Sequence, residues 1–138
     1  MTCYFADTSF YLASLSSGDA LHERALQWGS DSICFHLTTE CVLWELGNAL
    51  SVGNDRQLFV SFVSALRQDA ATTIIAADTA LMDRAIDLFQ QRPDKEWSLT
   101  DCASFIVMSD NGLFDSLTGD HHFEQAGFRA LLRSKPPR

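Results

Sequence analysis

The sequence predicts an α/β domain in which a mainly parallel sheet is covered by helices on both faces. Two features point there. Short β-forming runs alternate with longer segments whose apolar residues recur at helical spacing. The strand-like runs are also continuously apolar rather than alternating, as strands buried on both sides require. At 138 residues, 46% hydrophobic and 20% charged, the chain has the size and composition of one globular domain with an adequate core.

Residues 3–6 read as the first strand, and residues 8–15 as a helix that stops at Ser16-Ser17-Gly18. Asp19 is expected to cap a second helix through Trp28, with Leu21, Ala25 and Trp28 on one side. Residues 33–36 form a short strand. Thr38 or Thr39 then caps a helix bearing Val42, Leu43, Leu46, Ala49 and Leu50, which Gly53-Asn54 breaks. Leu58, Phe59, Phe62, Val63 and Leu66 mark the following helix. Residues 72–77 are an apolar, β-branched strand. Asp78 caps a helix with Leu81, Ala85, Ile86 and Phe89 that stops before Pro93, and Ser98 opens another that Asn111-Gly112 closes. Residues 113–117 and 128–132 are the last two expected strands. This places one domain over residues 1–133 and a flexible, proline-bearing tail over residues 134–138.

The formal net charge of −8 argues against a basic coat that grips nucleic acid without specificity. It leaves room for a nuclease whose bound metal supplies the positive charge, and it suits a basic protein partner. Cys3, Cys34, Cys41 and Cys102 are scattered, with no Cys-x-x-Cys pair, and read as small buried thiols rather than a zinc site or disulfide framework. No apolar run approaches the ~20 residues of a membrane helix. The opening residues lack a secretory signal, so the cytoplasm is the expected location.

Four acids draw notice: Asp7, Glu45, Asp101 and Asp120. Each has an ordinary role open to it. Asp7 can cap the helix that follows, and Glu45 can be a solvated residue beside an apolar stripe. Asp101 stands three residues after Ser98, as in a capping box, and Asp120 can be a turn residue. Yet Asp7 and Asp120 follow strands and Asp101 begins a helix, so all three can meet on one rim of the sheet, where α/β proteins bind ligands. Clustered carboxylates repel, and a hard divalent cation relieves that repulsion.

"ADTSF" near the start, "TTECVLWEL" at 38–46, "SLTDCASFIVM" at 98–108 and "LTGDHHFEQAGF" at 117–128 together resemble the PIN-domain family, most closely its VapC-type toxin ribonucleases. The resemblance implies a Rossmann-like three-layer sandwich with a sheet of about five strands. It also implies an endoribonuclease dependent on Mg²⁺ or Mn²⁺, with Asp7, Glu45, Asp101 and Asp120 as metal-binding and catalytic acids. Thr8 and Ser9 match hydroxyls beside the first acid, and Ser9 is expected to fix the Asp7 carboxylate. His122 matches a His-Phe pair expected to be structural, with no catalytic role expected of His121. Gly119 suggests a loosely held fourth acid. The implied partners are a structured RNA of tRNA or rRNA type, a basic antitoxin and a second copy of the chain.

The basic residues are few, and Arg84, Arg92 and Lys95 read as a solvated helix face more readily than as phosphate contacts. Trp44 points away from its helix's apolar stripe and, with Phe59, Phe62 and Val63, suits a homodimer face or a groove for a partner helix. The rival reading is a PIN-like module that binds RNA or protein without cutting it. A flavin or nucleotide site is disfavoured, because no glycine-rich phosphate loop follows any strand.

Overall fold

The computed structural model describes residues 2–30 and 34–136. Ile33 of the second expected strand and Pro137 and Arg138 of the expected tail lie outside the described residues.

Five parallel strands form one sheet: β1 (Thr2–Ala6), β2 (Cys34–Thr39), β3 (Thr72–Ile75), β4 (Asp115–Leu117) and β5 (Arg129–Ala130), in the spatial order β3-β2-β1-β4-β5. The helices are α1 (Thr8–Leu15), α2 (His22–Gly29), α3 (Glu40–Ala49), α4 (Asp55–Gln68), α5 (Thr79–Gln91), α6 (Leu99–Asp110) and the short α7 (His121–Gln125). With the helices added, the result is a three-layer α/β sandwich, as expected. Among the described residues no helix is long and apolar enough to cross a membrane.

The core forms around the central strands. Phe5 and Ala6 of β1, Leu117 of β4, Leu46 of α3, Met108 of α6 and Phe123 of α7 are fully buried. Phe105 ties α6 to α7 through an edge-on contact with Phe123, with ring centroids 5.0 Å apart. The register pairs Phe5 with Leu37 on one side and with Ser116 on the other, so β1 is held from both edges. Burial of β1 on both faces is what its unbroken Tyr4-Phe5-Ala6 run demands.

Several boundaries differ from the sequence expectation, each for a local reason. α2 starts at His22, because the Asp19 side chain accepts from the Leu21 N–H at 2.8 Å and makes a turn of its own ahead of the helix. β2 runs on to Thr39, which then caps α3 by accepting from the Val42 N–H, while the Thr38 hydroxyl donates to the Ala6 carbonyl across the sheet. β3 ends at Ile75 and is an edge strand with no fully buried residue, so its β-branched run reflects pairing propensity rather than two-sided burial. Ala49 of α3, Leu58 of α4 and Ile86 and Phe89 of α5 are exposed, because those helices bury narrower stripes than their periodicity suggests. β4 begins at Asp115. β5 is only two residues long and gives way to a 3₁₀ turn, Leu131–Arg133, and α7 was not expected at all. Cys34 and Cys102 are buried, but Cys3 and Cys41 are only half-buried; no disulfide joins the cysteines.

Candidate functional site

The chain runs outward from β1 through β2 to β3, then returns to lay β4 and β5 on the other side of β1. The strand order therefore reverses between β1 and β4, and it is beyond the carboxyl ends of strands at such a switch point that open α/β sheets bind ligands. Asp7 follows β1 directly, and its N–H continues the ladder by donating to the Leu117 carbonyl at 3.1 Å. Thr118, Gly119 and Asp120 follow β4.

Asp7 is only 5% exposed. It occupies the N-cap position of α1, yet its side chain does not cap the helix. Its Oδ2 instead accepts from the Thr118 hydroxyl at 2.8 Å, with the Ser9 hydroxyl farther away at 3.4 Å. Ser9 Oγ and Thr118 Oγ1 are 3.0 Å apart, the Gly119 N–H donates to Ser9 Oγ, and the Asp120 N–H donates to Thr118 Oγ1. The two loops are thus laced together by hydroxyls. Thr118, which sequence reasoning passed over, is the nearer partner of Asp7. The signal was present: a hydroxyl two residues before an acid at a strand end, in the Thr-x-Asp motif. A Cβ at Gly119 would meet Leu21 Cδ1, the end of a half-buried side chain that has room to turn aside.

Burial pushes the Asp7 carboxyl up to about 7, and the charges of Asp101 and Glu45 push the same way. The Thr118 hydroxyl and the neighbouring Thr8 N–H act in the opposite direction. Asp101, 8% exposed, sits on the first turn of α6 in a full capping box: the Ser98 N–H donates to Asp101 Oδ2, and the Asp101 N–H donates to Ser98 Oγ, both at 3.0 Å. Its pKa is also raised, first by burial and then by the Asp120 charge, against the Ser98 N–H and His122. Glu45 and Asp120 are half-buried. The four acids therefore form a row of electrostatic neighbours, Glu45 to Asp7 to Asp101 to Asp120. Among the described residues no three of them bring donor atoms within 4.8 Å of one another.

His122 has more to do than pack. Its Nδ1 lies 3.2 Å from Asp101 Oδ2 and 3.4 Å from Asp120 Oδ1, bridging the two acids at the end of the row. Asp120 also accepts from the His122 N–H at 2.9 Å, which caps α7. His121 is exposed. Arg84 pairs bidentately with Asp110, Arg92 with Asp94 and Arg129 with Asp115, and Arg133 pairs with Glu124, so four of the cations are already engaged with acids.

The row fits a hard divalent cation. Its donors are all carboxylate oxygens, and two of them are buried at a cost that a cation would offset. Beside them the Thr8 hydroxyl is buried without a hydrogen-bond partner.

The chain is thus an α/β three-layer sandwich with acids gathered at the switch point of its five-stranded parallel sheet. No model of a known protein family matches the chain. The chain is similar to the 23S rRNA-specific endonuclease VapC20 of Mycobacterium tuberculosis, strains CDC 1551 / Oshkosh and ATCC 25618 / H37Rv. Identity is 27% over 124 residues, covering 90% of this chain and 94% of the relative. It also superposes on the crystal structure of Mycobacterium tuberculosis VapC20, described as a sarcin-ricin loop cleaving toxin. The TM-score is 0.81 at 28% identity, covering 91% of this chain and 96% of that one. These likenesses bear out the resemblance to VapC-type PIN domains that the four motifs carry.

Proposed function

We propose that this protein is an endoribonuclease toxin that cuts structured ribosomal RNA, using Mg²⁺ or Mn²⁺ held by Asp7, Glu45, Asp101 and Asp120. The observation that carries the reading is Asp7: a carboxylate buried at the sheet's switch point, bracketed by hydroxyls and facing other acids. When bound, the ion supplies charge for the scissile phosphate and lowers the pKa of an attacking water.

The chain's own residues do the positioning. Thr118 and Ser9 fix the orientation of Asp7, the capping box with Ser98 fixes Asp101, and His122 ties Asp101 to Asp120. With Arg84, Arg92, Arg129 and Arg133 engaged by acids, RNA is selected by the shape of a folded loop more than by a basic surface. The similarity to VapC20 suggests the sarcin-ricin loop of 23S rRNA as the substrate, met in the cytoplasm. A net charge of −8 suits a basic antitoxin, and the exposed Trp44 on α3 suits a protein partner or a second copy.

The test is to incubate the purified chain with an oligoribonucleotide carrying the sarcin-ricin loop, with Mg²⁺ or with a chelator. One cut is expected, lost on chelation, together with growth arrest when the chain is expressed alone. Intact RNA under both conditions, with a melting temperature indifferent to Mg²⁺, is the result required by the non-catalytic alternative.

A further inference from the structure

We infer that Asp120, His121 and His122 form a second, softer metal site, selective for a zinc-class ion, whose occupation withdraws Asp120 and His122 from the acid row. Among the described residues this trio brings its donor atoms within 4.8 Å of one another. The separations also suit one particular ion. Asp120 Oδ1 lies 3.6 Å from His121 Nδ1 and 3.4 Å from His122 Nδ1. A tetrahedral ion with bonds of about 2.0–2.1 Å needs donors about 3.3 Å apart. The His121 and His122 rings lie with centroids 4.5 Å apart, beside the same Asp120 oxygen.

The donor chemistry points the same way. Two imidazoles and one carboxylate favour a borderline ion such as Zn²⁺ over Mg²⁺, which prefers oxygen donors. His121 is exposed and His122 half-buried, so one side of the trio is open to solvent, which can complete the coordination. On binding, each Nδ1 offers its lone pair, its ring proton resting on Nε2 and any displaced proton passing to water.

Occupation has a structural consequence. His122 Nδ1 cannot hold the ion and also bridge to Asp101 Oδ2 at 3.2 Å, and Asp120 Oδ1 becomes engaged by that ion. Zinc should then slow cutting even with Mg²⁺ in excess; this inhibitory consequence rests on the endoribonuclease reading, whereas the binding does not.

The experiment titrates Zn²⁺ by calorimetry into the intact chain in saturating Mg²⁺, for wild type, His121→Ala and Asp7→Asn. His121 is exposed and outside the acid row, so its loss threatens neither the fold nor basal cutting. Wild type should bind one Zn²⁺, Asp7→Asn should bind it at least as tightly because a weakened Mg²⁺ site competes less for Asp120, and His121→Ala should bind it about tenfold or more weakly. Zinc should slow wild-type cutting of the sarcin-ricin oligoribonucleotide and spare His121→Ala. Equal zinc affinity in wild type and His121→Ala, or loss of binding in Asp7→Asn alone, overturns the site. Tight binding with undiminished cutting overturns the withdrawal of Asp120. If no variant cuts RNA at all, the endoribonuclease reading fails while the calorimetry still decides the site.

Discussion

The inner and outer members of the acid row live in different surroundings. Asp7 and Asp101 are nearly buried, each with its pKa raised first by burial, and each is locked by hydrogen bonds to named partners. Glu45 and Asp120 are half-buried: one lies midway along α3, the other at the N-cap of α7 after β4. The difference separates two duties. A buried carboxylate is costly unless a cation offsets it, so in the proposed function the inner pair would create the demand for the ion. In the same reading the half-buried outer pair would keep more of its hydration and add charge at modest cost.

The contrast is sharpest in mutants. Asp7→Asn should lower the cutting rate by about a thousandfold, the equivalent of roughly 4 kcal/mol of lost stabilisation. The same change should raise the melting temperature of the ion-free protein at pH 8, because it removes an uncompensated buried charge. Asp120→Asn should cost about tenfold to a hundredfold in cutting, with little change in melting. If Asp120→Asn proved as damaging as Asp7→Asn, the division into inner and outer members would not stand. Both comparisons need only cutting kinetics and thermal melts.

Acidity provides a second way to probe the inner pair. A carboxyl whose pKa is higher in the fold than in the unfolded chain contributes stability that is fully present below the unfolded value. That contribution is lost as pH rises through the folded value. For Asp7 the window runs from the ordinary 3.8 to about 7, and Asp101 shifts in the same direction. The ion-free protein should therefore lose stability from these groups as pH rises across that window. Saturating Mg²⁺ should flatten the loss, because the ion binds the charged forms. Denaturant melts across the window, with and without Mg²⁺, measure this; an identical slope in both would separate the inner acids from any ion.

Smaller effects test the supports. Thr118→Val keeps the shape of the side chain and removes the nearer hydrogen bond to Asp7. It should lower stability by about 1–3 kcal/mol and cutting by about tenfold. Ser9→Ala should do less, since its hydroxyl is at 3.4 Å from Asp7 and Thr118 is at 2.8 Å. Arg84→Ala removes a surface pair with Asp110, remote from the row, and should leave cutting unchanged.

The alternation of short apolar runs with helical periods made the α/β class readable from sequence, because backbone pairing and side-chain burial leave periodic marks. The capping box at Ser98 and Asp101 was equally legible, since its partners are three residues apart. Positions that depend on remote neighbours were not. The half-exposure of β3 follows from its place at the sheet edge, which nothing in Thr72-Thr73-Ile74-Ile75 announces. Ile86 and Phe89 looked like core and face solvent, because α5 is covered over a narrower stripe than its own sequence suggests.

By itself, then, the sequence determined the α/β class, with acids after the first and fourth strands and at the head of a helix, since those are local consequences of residue order. Only the tertiary structure decided that Thr118, more than a hundred residues along the chain, holds Asp7, and that His122 joins Asp101 to Asp120. The reason is geometric: a hydrogen bond between distant segments exists only once the reversal of strand order has brought β1 and β4 side by side.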